Sequence, residues 1–209
     1  MKIVMLGDSI TDMHRDRNMP DNYPFAFGVG YPYIVTTKLF EENPLGYEII
    51  NRGVSGDRIV DVYARIKKDC WNFKPDFISI YIGVNDLWHE IEHQNGVEVD
   101  WFEKIYSMLI EDTLKALPNV KIMLLEPFVL KGTATDGKMD KFAKIEEYCL
   151  AIQNLAKKYN LVSISLQTAL NNAEKVVGEG VLTFDGIHPN VSGSTVIANE
   201  WLKGFKKLL

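Results

Sequence analysis

The chain has 209 residues, of which 46% are hydrophobic and 24% charged, and its formal net charge is −5 at pH 7. This length suits one domain, residues 1–209, and the acidic balance without any basic block argues against a nucleic-acid partner. No apolar run reaches the length of a membrane span or a secretory signal, so we expect a cytoplasmic protein without membrane attachment. Cys70 and Cys149 are too few for a disulfide framework, and we interpret them as buried free thiols within helices.

Short apolar runs alternate along the chain with longer segments of helical periodicity. We predict five strands, at Lys2–Leu6, Glu48–Asn51, Phe77–Ile82, Lys121–Leu125 and Leu161–Ile164. Because these runs are nearly all apolar rather than alternating, they are typical of parallel strands covered on both faces. The sequence therefore predicts an α/β fold in which a five-stranded parallel sheet lies between two layers of helices.

Two of the predicted helices show apolar residues that repeat at intervals of three and four positions. The first stripe comprises Phe142, Ile145, Cys149, Ile152, Ala156 and Tyr159, and the second comprises Ile197, Trp201, Phe205 and Leu208. We expect both stripes to pack against the sheet.

Polar and glycine-rich segments follow four of the predicted strands. In chain order they are Gly7-Asp8-Ser9, Asn51 to Gly56, Gly83-Val84-Asn85-Asp86 and Glu126-Pro127-Phe128. Ligands of open α/β sheets bind outside the carboxyl ends of the strands, so these segments should converge on one edge. The sequence predicts a functional site at that edge.

Ser9 is the candidate nucleophile, because a serine hydroxyl becomes reactive when a histidine accepts its proton and a carboxylate orients that histidine. His188 and Asp185 lie three residues apart ahead of the last helix. A tight turn would let the carboxylate reach Nδ1 while Nε2 faces the serine. The N–H groups of Ser9 and Gly53 and the side-chain amide of Asn85 are candidate oxyanion donors.

Taken together, four blocks of the sequence resemble the SGNH, or GDSL-type, hydrolase family. The blocks are Gly7-Asp8-Ser9, Gly53, Gly83-Val84-Asn85-Asp86 and Asp185-Gly186-Ile187-His188, and they occur in the family's order. The resemblance implies a flavodoxin-like three-layer α/β/α sandwich, with Ser9 as nucleophile, His188 as general base and Asp185 as its partner. It also implies Gly53 and Asn85 in the oxyanion hole, and neither a metal nor an organic cofactor.

Longer runs around these blocks resemble the intracellular branch of the family that includes acetylxylan esterases. This branch commonly has a tryptophan before the catalytic aspartate, where this chain has Phe184. The resemblance implies a serine esterase that removes short acyl groups from carbohydrates such as xylo-oligosaccharides through an acyl-enzyme. Its partner would be a small acylated substrate, and Trp88, Phe128 and Phe184 are candidate substrate-binding residues.

Several other interpretations stay open at this point. A lysophospholipase or thioesterase would use the same catalytic residues, and a carbohydrate- or acyl-binding module would keep the fold without turnover. The run from His89 to His93 matches the His-Glu-x-x-His pattern of zinc peptidases, although its polar flanks favour a solvated helix face. Formation of a homo-oligomer is left open by the sequence. We expect Arg52, Asp57 and Arg58 to form ion pairs without a catalytic role.

Overall fold

The computed structural model describes all residues from Met1 to Leu209. Its strands are β1 (Lys2–Gly7), β2 (Glu48–Gly53), β3 (Phe77–Tyr81), β4 (Lys121–Glu126) and β5 (Val162–Ser165). They form one sheet in the order β2-β1-β3-β4-β5, and every neighbouring pair is parallel. The predicted α/β fold with a five-stranded parallel sheet is confirmed. The strand order reverses direction between β1 and β3, which is where ligands bind in such sheets.

Helices cover both faces of this sheet. They are α1 (Ser9–Asp12), α2 (Tyr31–Glu42), α3 (Ile59–Asp69), α4 (Val84–His93), α5 (Val99–Ala116), α6 (Met139–Phe142), α7 (Ile145–Tyr159), α8 (Leu166–Val177) and α9 (Val191–Lys206). Helices α2, α8 and α9 contact one another in one layer, and α3, α5 and α7 form the other. None of the helices combines the length and apolar character that crossing a membrane requires.

The core lies between the sheet and its two helical layers. The side chains of β1 from Ile3 to Leu6 are fully buried, as expected for a central strand that is covered on both faces. The C-terminal stripe also packs as predicted, because Trp201 and Phe205 are fully buried and their rings stack with centroids 5.0 Å apart. The sheet and α9 therefore share one apolar core.

The other predicted stripe is divided between two helices. Phe142 ends α6, whereas Ile145 begins α7. Between them the N–H of Glu146 bonds to the carbonyl of Ala143, three residues back, at 3.2 Å. This tighter turn interrupts the α-helical ladder, although Phe142 is still buried in the core.

The two cysteines are free thiols in different surroundings. Cys70 is buried directly after α3 rather than within it, and Cys149 is half-buried in α7. Burial raises the pKa of each thiol to about 12, so both are protonated at neutral pH.

Candidate active site

Ser9 lies where the chain turns from β1 into the short helix α1. The side chain of Asp8 caps this helix, because its Oδ1 accepts a hydrogen bond of 2.9 Å from the N–H of Ile10. Gly7 lies at a close approach, since a Cβ atom there would be 2.2 Å from Oγ1 of Thr11. Only glycine fits at that point. The local sequence thus holds the Ser9 hydroxyl at the carboxyl edge of the sheet.

A hydrogen-bonded relay joins Ser9 to the far end of the chain. Ser9 Oγ lies 2.9 Å from His188 Nε2, and His188 Nδ1 lies 2.8 Å from Asp185 Oδ2. The other oxygen of Asp185 accepts hydrogen bonds from the N–H groups of Ile187 and His188, at 2.9 and 2.8 Å. The carboxylate therefore orients the imidazole so that Nε2 faces the serine.

The surroundings of Asp185 and His188 shift their pKa values in opposite directions. Burial by itself would raise the pKa of Asp185, but its hydrogen bonds with His188 and Ile187 outweigh burial and lower it to about 2. The hydrogen bond with Asp185 raises the pKa of His188 above its ordinary value, although burial opposes this. At neutral pH Asp185 is thus ionised and stabilises the protonated imidazole.

The turn that carries Asp185 is held by the loop from Leu130 to Ala134, which we call the clamp loop. Leu130 N–H donates to the Gly186 carbonyl at 2.8 Å, and Ala134 N–H donates to the Asp185 carbonyl at 2.9 Å. A Cβ atom on Gly132 would lie 2.1 Å from the Asp185 carbonyl carbon, so the two backbones are in direct contact. Sequence reasoning missed this support, because the clamp loop matches no catalytic block.

The prediction that Gly53 donates to an oxyanion is wrong. Strand β2 extends two residues beyond the predicted end at Asn51, so Gly53 is a strand residue paired with Gly7. Its N–H already donates to Asn51 Oδ1 at 2.8 Å, and a Cβ atom there would lie 2.2 Å from the Asp12 nitrogen. Gly53 lets two backbones approach each other inside the fold rather than at the substrate.

Gly56, rather than Gly53, lies at the cleft beside Ser9. It lines a cleft with Ser9, Asn85 and His188, its φ is +86°, and a Cβ atom would meet nothing within 4 Å. The N–H groups of Gly56 and Ser9 are not donated to any group of the protein. Asn85 Nδ2 donates one hydrogen to the Asp57 carbonyl at 3.0 Å, which leaves its second hydrogen available. No sequence signal distinguishes the two glycines of Gly53-Val54-Ser55-Gly56, because only the fold shows which of them is a strand residue.

Hydrogen bonds and an ion pair hold the loop that contains Gly56. Ser55 donates to Asp12 Oδ2 from its N–H at 3.2 Å and from its hydroxyl at 2.9 Å. Arg65 Nε binds Asp57 Oδ2 at 2.6 Å. The expectation that the nearby charged residues form ion pairs is confirmed, and the further pairs are Arg52 with Asp21 and Arg58 with Asp61.

Two clefts open on either side of the relay, and both include Ser9 and His188. The first, which we call the polar cleft, has a volume of about 580 Å³ and is lined further by Gly56, Asn85, Trp88, His89, Glu92 and His93. The second, which we call the apolar cleft, has a volume of about 460 Å³ and is lined further by Met13, His14, Val29 and Phe184. The hydroxyl of Ser9 is thus accessible from two chemically different sides.

The three candidate substrate-binding aromatic residues are in three different environments. Trp88 is half-buried in the polar cleft, with its ring centroid 5.8 Å from that of His188. Phe184 is 68% exposed at the apolar cleft. The prediction for Phe128 is wrong, because its side chain is completely buried in the core. Its position after β4 carried no information about which way the ring turns.

The His-Glu-x-x-His run lies on α4 in the polar cleft. The rings of His89 and His93 are 6.0 Å apart, between centroids. The structure contains no group of three or more His, Cys, Asp or Glu side chains placed to hold a metal ion. A third protein ligand, which zinc sites normally have, is therefore not provided here.

Comparisons with known proteins were made for the whole chain. Residues 5–196 match the model of the GDSL-like lipase/acylhydrolase family. An acetylxylan esterase from Geobacillus stearothermophilus is 31% identical over 208 residues, which cover 97% of this chain and 92% of that protein. Its crystal structure superposes with a TM-score of 0.86, at 31% identity, and the match covers 97% of this chain and 93% of that one.

Another solved structure is more similar in shape. It is a protein from Parabacteroides merdae described as a GDSL-like lipase, with a TM-score of 0.93 at 34% identity, and the match covers 98% of this chain and 95% of that one. Among the solved variants of the Geobacillus esterase, two are described as catalytic mutants, one with a serine and one with an aspartate replaced by alanine. These neighbours share both the fold and nearly the full length of the chain.

Proposed function

The chain belongs to the GDSL-like lipase/acylhydrolase family and is a carboxylic ester hydrolase, and we propose that it is a serine esterase that releases acetyl groups from carbohydrate esters. The observation that carries the mechanism is the relay with distances of 2.9 and 2.8 Å between Ser9, His188 and Asp185. A hydroxyl, an imidazole and an ionised carboxylate in this geometry match the requirements of nucleophilic acyl transfer.

In the proposed reaction, neutral His188 accepts the proton of Ser9 through Nε2 while Oγ attacks the acyl carbonyl carbon. The carbon–oxygen double bond opens, and its electron pair moves to the oxygen, which becomes an oxyanion. His188 then donates the proton to the departing alcohol oxygen as the ester bond breaks. Water, deprotonated by the same imidazole, hydrolyses the acyl-enzyme and restores Ser9.

Three donors are available for the oxyanion in this proposal. They are the N–H groups of Ser9 and Gly56, which no protein group accepts, and the second amide hydrogen of Asn85. Removing one donor of this kind typically costs ~3 kcal/mol of transition-state stabilisation. Because Asn85 is 4% exposed and bonded to the Asp57 carbonyl, its amide is already oriented before substrate binds.

The choice of an acetylated carbohydrate is supported by the relatives and by the size of the clefts. The Geobacillus relative is named an acetylxylan esterase, and one of its solved variants is an acetyl-xylooligosaccharide esterase. The two clefts are open, with volumes of about 580 and 460 Å³, and both include Ser9 and His188. Phe184 still offers an apolar surface next to Asp185.

Two measurements test this function. Ser9→Ala should abolish hydrolysis of 4-nitrophenyl acetate and labelling by a fluorophosphonate, whereas Ser192→Ala, on α9, should retain both. Wild-type protein should release acetate from acetylated xylo-oligosaccharides with a higher kcat/KM than it shows for esters of longer acids. A Ser9→Ala protein with wild-type activity would refute the mechanism. A preference for lysophospholipids or thioesters would refute the substrate assignment, and lack of turnover and labelling in the wild type would indicate a binding module.

A further inference from the structure

The outer turns of α4 carry polar side chains that the proposed mechanism does not use. The helix begins at Val84 with Asn85 in its first turn, and Trp88, His89 and Glu92 follow at intervals of three and four residues. Residues at this spacing share one face of a helix. This face leads outward from the reacting atoms and forms one wall of the polar cleft. With a rise of 1.5 Å per residue, the wall extends ~10 Å from Asn85 to Glu92.

The opposite wall is formed by the end of the clamp loop and the chain that follows it. Thr133, Ala134 and Lys138 line it, and the Lys138 ammonium forms an ion pair with the Glu92 carboxylate across the cleft. Both side chains are partly exposed, at 39% and 31%, so the pair is weak and its polar atoms stay accessible. The polar cleft thus ends in charged groups that retain free hydrogen-bonding capacity.

The apolar cleft on the other side of Ser9 has different chemistry. Met13, Val29 and Phe184 line it together with the polar residues His14, Ser55 and Asp185, and Val29 and Phe184 are each 68% exposed. An acetyl methyl group has no hydrogen-bonding groups, whereas a sugar presents a hydroxyl on nearly every carbon. Unpaired hydroxyl groups against apolar walls cost free energy, so the two parts of such an ester suit different clefts.

Trp88 lines the polar cleft beside the imidazole of the relay. Its ring centroid lies 5.8 Å from that of His188, the group that returns the proton to the leaving oxygen. An alcohol that leaves beside His188 on the Trp88 side enters the polar cleft, where His89 is next along the helix. Burial lowers the pKa of His89, so its imidazole is neutral at pH 7 and both donates and accepts hydrogen bonds.

We propose that the polar cleft binds the alcohol part of the substrate as a hydroxyl-rich sugar unit, with His89 and Glu92 as residues that determine specificity for it. The methyl group of the acetyl ester then points into the apolar cleft beside Phe184, while its carbonyl oxygen faces the donors of Ser9, Gly56 and Asn85. This assignment rests on the proposed function, and it gives the His-Glu-x-x-His run a role in recognising hydroxyl groups.

The experiment compares two esters that share the acetyl group and differ in the alcohol. His89→Ala and Glu92→Ala should raise KM for an acetylated xylo-oligosaccharide about five-fold for each hydrogen bond lost, with little change in kcat. Neither should change KM for 4-nitrophenyl acetate, whose alcohol has no further hydroxyl groups. Glu147→Ala, at an exposed position of α7 outside both clefts, is the matched control and should leave the ratio of the two KM values unchanged.

Two further measurements complete the test. Phe184→Ala should alter the ratio of kcat/KM for 4-nitrophenyl acetate and 4-nitrophenyl butyrate, while His89→Ala leaves it unchanged. Xylobiose, the free alcohol product, should inhibit 4-nitrophenyl acetate hydrolysis, and His89→Ala should weaken that inhibition. The proposal is overturned if His89→Ala changes KM for both esters equally. It is also overturned if Phe184→Ala, and not His89→Ala, weakens the inhibition by xylobiose.

These outcomes separate the cleft assignment from the proposed function. A wild-type protein that cleaves the oligosaccharide ester, with unaltered selectivity in His89→Ala, would refute only the cleft assignment. A wild-type protein that hydrolyses 4-nitrophenyl acetate but neither cleaves the oligosaccharide ester nor binds xylobiose would refute both.

Discussion

The two ends of the relay are held in place in different ways. Ser9 is positioned by its immediate neighbours, Gly7 and Asp8, within one strand-to-helix turn. Asp185 instead depends on a loop more than fifty positions earlier in the chain, where Gly132 touches its backbone. The position of the proposed nucleophile is therefore determined locally, whereas the partner of the proposed base is held by a tertiary contact.

The carboxyl groups of Asp8 and Asp185 show the same contrast in their ionisation. Asp185 accepts three hydrogen bonds, and its pKa is lowered to about 2 although burial opposes this. Asp8 is completely buried, accepts one hydrogen bond from Ile10, and its Oδ2 has no partner. Burial therefore raises the pKa of Asp8 to about 7. The balance between burial and donors decides the charge: burial dominates at Asp8, whereas three donors outweigh it at Asp185.

Removing the charge of Asp185 should lower kcat more than any change at Gly132 or Asp8. Asp185→Asn should lower kcat by about 10⁴-fold, because the amide no longer selects the required tautomer of His188 or stabilises its protonated form.

The structure also predicts how the rate depends on pH. His188 must be neutral to act, and its raised pKa places the rise of wild-type kcat/KM above about pH 6.5.

Since Asp185 causes that rise in pKa, the residual activity of Asp185→Asn should begin at lower pH than in the wild type. The measurement is kcat/KM for 4-nitrophenyl acetate from pH 5 to 9, with Asp136→Asn, an exposed aspartate, as the control. If kcat/KM of Asp185→Asn rises at the same pH as that of the wild type, the rise does not report the protonation of His188.

A methyl group on Gly132 should have the next largest effect, because it would push the Asp185 backbone away. A displacement of about 1 Å in a catalytic group can cost 10²-fold in rate, so Gly132→Ala should lower kcat by roughly that factor. Gly137→Ala is the matched control, since a Cβ atom there meets nothing within 4 Å. Its positive φ predicts a loss of about 1 kcal/mol in unfolding free energy without loss of kcat.

The kinetic readout separates positioning of the base from loss of stability. Gly132→Ala should keep its KM and shift the pH at which kcat/KM rises, because the Asp185–His188 hydrogen bond is altered. Equal losses of folded protein and activity, with an unchanged pH profile in the folded fraction, would show that the clamp loop is only structural.

The smallest effect concerns Asp8 and appears in stability rather than rate. A carboxyl group whose folded pKa is about 7 binds its proton more tightly in the folded than in the unfolded state. Its contribution to stability is therefore present below pH 4 and is lost as the pH rises towards 7. Asp8→Asn should lack this loss, so the difference in unfolding free energy between the two proteins should change across this window. Urea denaturation at pH 4, 5, 6 and 7 measures this difference. A difference in unfolding free energy that stays constant across these pH values would contradict the raised pKa of Asp8.

Much of the architecture and half of the site follow from local sequence patterns. The five strands were predicted to within two residues at each end, because a buried parallel strand requires an apolar run and a turn signal beside it. The family was likewise predicted from its blocks, since Gly7-Asp8-Ser9 carries its turn, cap and hydroxyl within three residues. Asn190 caps α9, because its side chain accepts hydrogen bonds from the N–H groups of Ser192 and Gly193.

The tertiary structure alone decided which donors are free and which rings are exposed at the clefts. Gly53 and Gly56 look alike in the sequence. However, Asn51 Oδ1 accepts a hydrogen bond from the N–H of Gly53, whereas no protein group accepts the N–H of Gly56. Phe128 follows a strand just as Ser9 does, yet its ring is buried in the core. Whether a donor is free or a ring is exposed depends on atoms contributed by distant segments, and short-range periodicity carries no information about those atoms.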